Sequence, residues 1–295
     1  MAAPLRGAIT ALVTPFTPEG KLDEAALAAL VEWQIAEGIH GLVPVGSTGE
    51  AVTLSLAERE RVVRVVAEAA KGRVPVIAGA GSNDTAAAIE ASKLLGKAGA
   101  THLLHVSPMY NKPPQRGIVA HFRAVADASP LPIVLYNVPG RTGSNMTAET
   151  TLELAEHANI CAVKEASGNT GQIDAILRGR PEGFGVLSGD DGLTLAVMAA
   201  GGDGVISVIS NAVPKLCAQL TDALAKSDLA TASLIHHRLA PLVDAAFIES
   251  NPIPIKAGLA MMGKLKNVLR LPLVPMDAKH EARMSAALRI AGVLL

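Results

Sequence analysis

Three groups of residues have the types and spacing to do chemistry. Lys164 follows Ile160, Cys161, Ala162 and Val163, a run that reads as a buried strand, where lysine is rare. Taking an ammonium out of water lowers its pKa, and the neutral amine is the form that attacks a ketone to give an imine. Taken alone, Lys164 beside Glu165 also reads as a strand-end ion pair. Tyr136 ends the preceding strand-like run. Its hydroxyl there could pass protons to and from the carbinolamine and enamine that form on a lysine nitrogen. With Tyr110 it is one of two tyrosines in the chain, and both fall at strand ends or in loops. Gly46-Ser47-Thr48-Gly49 offers two hydroxyls and a small-residue backbone, which an anion-binding turn requires, although such a cluster is also common as a plain turn.

Other chemistries fail on spacing. Gly79-Ala80-Gly81 lacks the third glycine of a dinucleotide fingerprint, the serine turn lacks the lysine of a P-loop, and there is no G-x-S-x-G elbow. His102 and His105 alternate to opposite faces of a strand, and His236 and His237 are adjacent on a helix, so neither pair chelates one metal in the usual way. Asp190 and Asp191 read as a helix cap. No cofactor and no metal are expected. Period-2 alternation puts Cys161 on the face opposite Lys164, towards the helices, as a small packing residue, and Cys217 reads the same way within a helix.

These residues need a scaffold that gathers strand ends. Eight short β-branched runs, at residues 7–13, 41–45, 75–78, 102–106, 133–137, 160–165, 185–188 and 204–208, are each followed by a helical pattern. Eight βα units predict a (β/α)8 TIM barrel, an α/β fold whose reactive residues lie at the C-terminal strand ends; a doubly wound open sheet is the less economical alternative. Ser55 and Glu58 spell a capping box, and Thr147 and Asp191 stand where an N-cap oxygen belongs. No strand pattern follows Ser227. The sequence therefore divides into a barrel at residues 1–229 and a C-terminal helical extension at 230–295, with about three helices punctuated by Pro252, Pro254, Pro272 and Pro275.

Composition bounds the rest. Among 295 residues, 49% are hydrophobic but only 2% aromatic, so aliphatic side chains must fill the core. The net charge of −1 supplies no field for a polyanion or an acidic membrane surface, which argues against nucleic acid and membranes as partners. No uncharged run is long enough to cross a bilayer, residues 1–17 read as a first strand rather than a signal peptide, and two cysteines suit a reducing compartment, by default the cytoplasm.

Taken together, Gly46 to Glu50, Tyr110-Asn111-Lys112-Pro113, Tyr136 to Thr142, Lys164 to Asn169, Ser188 to Asp191 and Asn251 to Lys256 resemble the dihydrodipicolinate synthase family in order and spacing, over essentially the whole chain. The pairing of the Tyr136 and Lys164 motifs is specific to the pyruvate-dependent aldolase superfamily that also holds N-acetylneuraminate lyase. The resemblance implies a homotetramer of barrels, a dimer of dimers, that condenses pyruvate with L-aspartate semialdehyde on the way to diaminopimelate and lysine. It implies Lys164 as the Schiff-base lysine and Tyr136 as the proton shuttle. Ser47 and Tyr110 would complete a hydroxyl relay, Tyr110 reaching across a dimer interface. Thr48 would hold the pyruvate carboxylate, the carbonyls of Gly189 and Ile206 would line the pocket, and Arg141 would meet the carboxylate of the aldehyde. The relay position, usually threonine, is Ser47, which keeps the hydroxyl but loses the methyl that fixes its rotamer.

Where lysine-inhibited relatives carry hydrogen-bonding or charged residues, this chain has Ala51, Leu56, Arg59, Ala87 and Met109 and keeps only Asn83, so feedback by lysine is not expected. Two alternatives stand beside this reading: an aldolase of the same superfamily acting on another aldehyde, such as a sugar acid, against which Arg141 speaks, and a keto-acid-binding barrel without activity, against which the intact Lys164 and Tyr136 speak.

Overall fold

A computed structural model describes residues 5–294; residues 1–4 and 295, the outer ends of the two expected segments, lie outside the described residues. Eight parallel strands follow one another around a ring: β1 (Gly7–Ala11), β2 (Gly41–Val43), β3 (Ile77–Gly79), β4 (His102–Val106), β5 (Ile133–Asn137), β6 (Ile160–Glu165), β7 (Gly185–Ser188) and β8 (Gly204–Ser207). Pairing runs β2-β1-β8-β7-β6-β5-β4-β3. A bridge between Leu42 and Val76, with the Leu42 N–H donating to the Pro75 carbonyl (3.0 Å) and the Gly79 N–H to that of Pro44 (3.0 Å), closes β2 onto β3. The expected barrel is the observed one.

Each strand sends an aliphatic side chain inward, Ile9, Val43, Ile77, Leu104, Val134, Ala162, Leu187 and Ile206, and these buried residues form one interior cluster that floors the C-terminal face. Fully burying a larger aliphatic side chain of this kind contributes roughly 1.5–3 kcal/mol, so the floor is a packed layer and not a pore. Two further clusters lie between the sheet and its helices.

Strands β4 to β7 have the expected boundaries, whereas four others differ at their ends. The run expected to reach Val13 stops at Ala11 because the Val13 N–H is taken by Asn211 Oδ1 (3.1 Å). Strand β2 ends before Pro44, β3 begins two residues after Pro75, and β8 ends where Asp191 captures the Val208 N–H (2.9 Å). Proline cannot donate to a ladder, and a side-chain acceptor that takes a backbone donor ends pairing just as effectively.

Two expectations need correcting. Pairing between β5 and β6 shifts so that Ile133 opposes Ile160 while Val134 opposes Ala162, which makes Cys161 the extra residue of a bulge. Alternation breaks there, and Cys161 packs against the interior cluster and not against the helices, its thiol pushed up to about 11 by burial. Asp191 is no cap for its own turn: Asp190 accepts from Gly192 N (2.8 Å), while the buried Asp191 carboxylate accepts from Val208 N (2.9 Å) and Ile209 N (3.2 Å), tying the exits of β7 and β8 together. Thr147 and the Ser55–Glu58 box do cap their helices.

The tail forms helices Leu229–Ala246, Ile253–Met261 and Ala278–Ala291. Their buried residues Leu242, Leu259 and Leu288 belong to the same cluster as Leu12 of the β1 exit and Val205 of β8. Among the described residues no helix is long and apolar enough to cross a membrane.

Candidate active site

Lys164 lies near the end of β6 and is 6% exposed. The neighbouring carboxylate does not neutralise it. Glu165 faces the helix layer, where it accepts from Asn137 Nδ2 (3.0 Å), Ser167 N (2.7 Å) and Gln172 Nε2 (3.1 Å). Lys164 therefore has no ion-pair partner among the described residues. Its Nζ stands 4.3 Å from the centroid of the Tyr136 ring, because Tyr136 and Lys164 are paired partners on adjacent strands and both point inward. Gly189, at the exit of β7, makes room for this amine: a Cβ there would lie 2.6 Å from Ala166 Cβ and 3.0 Å from Lys164 Cε.

Across the mouth of the barrel, residues 46–50 form a tight turn bracketed by two left-handed residues, Val45 (φ 50°) and Glu50 (φ 54°). The N–H groups of Gly49 and Glu50 close back onto the Gly46 and Ser47 carbonyls (3.1 Å each), while those of Ser47 and Thr48 donate to no acceptor among the described residues. Thr48 is 4% exposed, and its Oγ1 accepts from Asn251 Nδ2 (2.8 Å). Two free N–H groups beside a hydroxyl form a concavity suited to a carboxylate.

The turn is anchored from behind. Glu50, fully buried, pairs with the fully buried Lys256 (2.6 Å), which also donates to the Thr14 carbonyl (2.9 Å). Glu50 Oε2 accepts from Arg270 N (3.0 Å), and the Arg270 guanidinium reaches Glu58 (2.6 Å). Both cations lie over the Phe16 ring. Burial pulls the Lys256 pKa down, and Glu50 pushes it the other way.

A cavity of about 200 Å³ at the C-terminal face brings together Lys164, Tyr136, Ser47, Thr48, Arg141 and Gly189. Arg141, from the short helix Pro139–Thr142, is exposed at the rim, with Nη2 donating to the Asn251 carbonyl (3.4 Å). Two expected residues are placed elsewhere. Ile206 sits in the floor cluster below, and Val208 forms the wall above it. Tyr110, with φ 71°, is 89% exposed and lies outside the pocket of its own chain. The cavity also takes in Asp190, read from the sequence only as a helix cap, and Phe247 and Asn251, to which sequence reasoning gave no role. Asn251 stands in one of the segments that carry the family resemblance, but nothing local marks it as a partner for Thr48, 203 residues earlier. Among the described residues no three His, Cys, Asp or Glu side chains converge as a metal site.

A barrel that presents a buried, unpaired lysine beside a tyrosine and opposite an anion-binding turn defines an enzyme of the imine-forming class. The chain matches the Dihydrodipicolinate synthetase family over residues 4–291, and it belongs to that family. It is 48% identical over 290 residues to the 4-hydroxy-tetrahydrodipicolinate synthase of Maridesulfovibrio salexigens, covering 98% of this chain and 99% of the other. The dihydrodipicolinate synthase of Acinetobacter baumannii, solved in a chloride-inhibited form with pyruvate, superimposes with a TM-score of 0.97 at 40% identity, over 98% of this chain and 100% of that one. A monomeric dihydrodipicolinate synthase variant gives 0.96 at 41% identity, with 98% of each chain covered.

Proposed function

We propose that the chain is a Schiff-base lyase that condenses pyruvate with L-aspartate semialdehyde to 4-hydroxy-tetrahydrodipicolinate, in the biosynthesis of diaminopimelate and lysine. The observation that carries this reading is Lys164: buried, without a counter-ion, and in register with Tyr136. The Lys164 amine attacks the keto carbon, water leaves, and loss of a methyl proton gives the enamine that adds to the aldehyde carbon; the amino group of the adduct then displaces the lysine nitrogen from the imine carbon, closing the ring and freeing Lys164. Tyr136 moves the protons of these steps, relayed to Ser47 and Tyr110. Thr48 and the free N–H groups of residues 47–48 hold the pyruvate carboxylate, with the carbonyl of Gly189 lining the pocket wall and that of Ile206 its floor. Arg141 takes the carboxylate of the aldehyde, for which a guanidinium fork is suited. We place the enzyme in the cytoplasm, as a dimer or a tetramer of two such dimers in which Tyr110 serves the neighbouring site.

The test combines two measurements. Borohydride added with pyruvate is expected to inactivate the protein and leave a pyruvate-derived mass on Lys164, and product formation, coupled to the next reductase, is expected with aspartate semialdehyde and not with sugar aldehydes. A label on another residue overturns the mechanism. Labelling of Lys164 with turnover of a sugar aldehyde only overturns the substrate.

A further inference from the structure

We infer that Asn251 is a positioning residue for the keto acid: its side-chain amide fixes the Thr48 hydroxyl as a hydrogen-bond donor to the substrate carboxylate. A hydroxyl has one proton and can either give it away or keep it for a ligand. Thr48 Oγ1 already accepts from Asn251 Nδ2 at 2.8 Å, so one lone pair is engaged and its proton has no acceptor among the described residues. That proton joins the free N–H groups of Ser47 and Thr48 on the same wall. Reversing the amide would make Thr48 donate to Asn251 and leave a buried N–H without a partner, the rarer and costlier arrangement; as it stands, the orphan is the buried Oδ1. The bond to Thr48 uses one of the two Nδ2 protons, and Oδ1 is buried without a partner, so the contact to Thr48 is the one hydrogen bond the amide makes among the described residues.

The position of Asn251 is itself fixed by the segment behind it. Five residues on, Lys256 is locked to Glu50, two residues after Thr48, so amide and hydroxyl are held at both ends of one buried connection. The Asn251 carbonyl accepts from Arg141, which places the same residue behind both proposed carboxylate contacts.

The inference rests on the proposed binding of pyruvate by Thr48, and a double-mutant cycle separates the two. The readout is the pyruvate concentration that half-saturates borohydride labelling of Lys164, together with KM and kcat for pyruvate. T48V is expected to raise the half-saturating concentration at least about tenfold, and N251A about tenfold, with the larger change in KM, since a hydrogen bond to a charged group is lost. In N251A/T48V the Asn251 substitution is expected to add nothing. N251D replaces the donor with a carboxylate that takes the Thr48 proton. It is expected to bind pyruvate worse than N251A at neutral pH and to recover as the pH falls and the new acid protonates, a recovery that wild type and N251A do not show. No effect of T48V overturns the carboxylate contact. An effect of T48V with none of N251A, or full multiplication of the two in the double variant, overturns the role of Asn251, and so does an N251D profile without low-pH recovery. If N251A fails to fold, the N251D profile decides alone.

Discussion

The spacing around Lys164 is set by what its neighbours lack. Gly189 leaves no Cβ where one would press on both Ala166 and the lysine stem, and the floor beneath is aliphatic, so the amine has one direction open to it, into the cavity. G189A is therefore expected to keep the fold, with a modest fall in melting temperature, and to lose about two orders of magnitude in kcat/KM, because displacing a reacting group by about 1 Å costs on that order. Thermal unfolding beside steady-state kinetics checks this. Near-normal turnover in G189A would mean that the lysine can move without loss of alignment. Lys164 and Tyr136 were legible in the sequence because a polar residue closing a buried strand has few explanations, and the parallel register then puts the two side by side. Asn251 was not, since its partner lies 203 residues away and an amide in a proline-rich loop looks like any other.

Among the elements, the segment from Asn251 to Arg270 departs furthest from a sequence reading, which gives a run of helices against the barrel and no reason for their place. Its function is to hold the 46–50 turn, through Lys256 on Glu50 and Arg270 on Glu50 and Glu58. Removing one member of a buried pair strands the other charge, so K256A is expected to cost about 3–5 kcal/mol, whereas the paired apolar replacement E50L/K256M is expected to recover most of that loss. Urea unfolding measures both; a K256A variant within about 1 kcal/mol of wild type would show that water or a neighbouring group relieves Glu50. Strand ends escaped the sequence for a related reason. Asn211 and Asp191 take ladder donors from other elements, and the bulge at Cys161 inverts an alternation that is sound on either side of it. Hydrophobic period reports which face is buried. It carries no word of a side chain arriving from a distant segment.

At the scale of the whole molecule, Tyr110 is the residue the single chain does not explain. A tyrosine that is 89% exposed, on left-handed backbone, flanked by Asn111 donating to the Asn83 carbonyl and Asn83 donating to that of Met109, has no side-chain partner among the described residues. If Tyr110 serves a neighbouring site, mixing Tyr110→Phe with Lys164→Ala protomers, each inactive alone, is expected to restore activity in the hybrids that join an intact lysine to an intact tyrosine. Confirmed subunit exchange without recovery would confine Tyr110 to its own chain. The fold class was legible in the sequence from the eightfold alternation alone, while an assembly is suggested only by resemblance, because a surface gives no periodic signal of what it meets.

The lock between Glu50 and Lys256 also has a consequence for the order in which the enzyme comes into being. Synthesis runs from the N-terminus, so the amine at residue 164 and the phenol at 136 exist long before residues 251–270. Until those residues arrive, Glu50 lacks its cation, Thr48 lacks its amide and Arg141 lacks its carbonyl partner. A nascent or truncated chain thus carries the proposed nucleophile without the proposed grip that aligns a keto acid against it, and competence is conferred only once residues 251–270 are laid down.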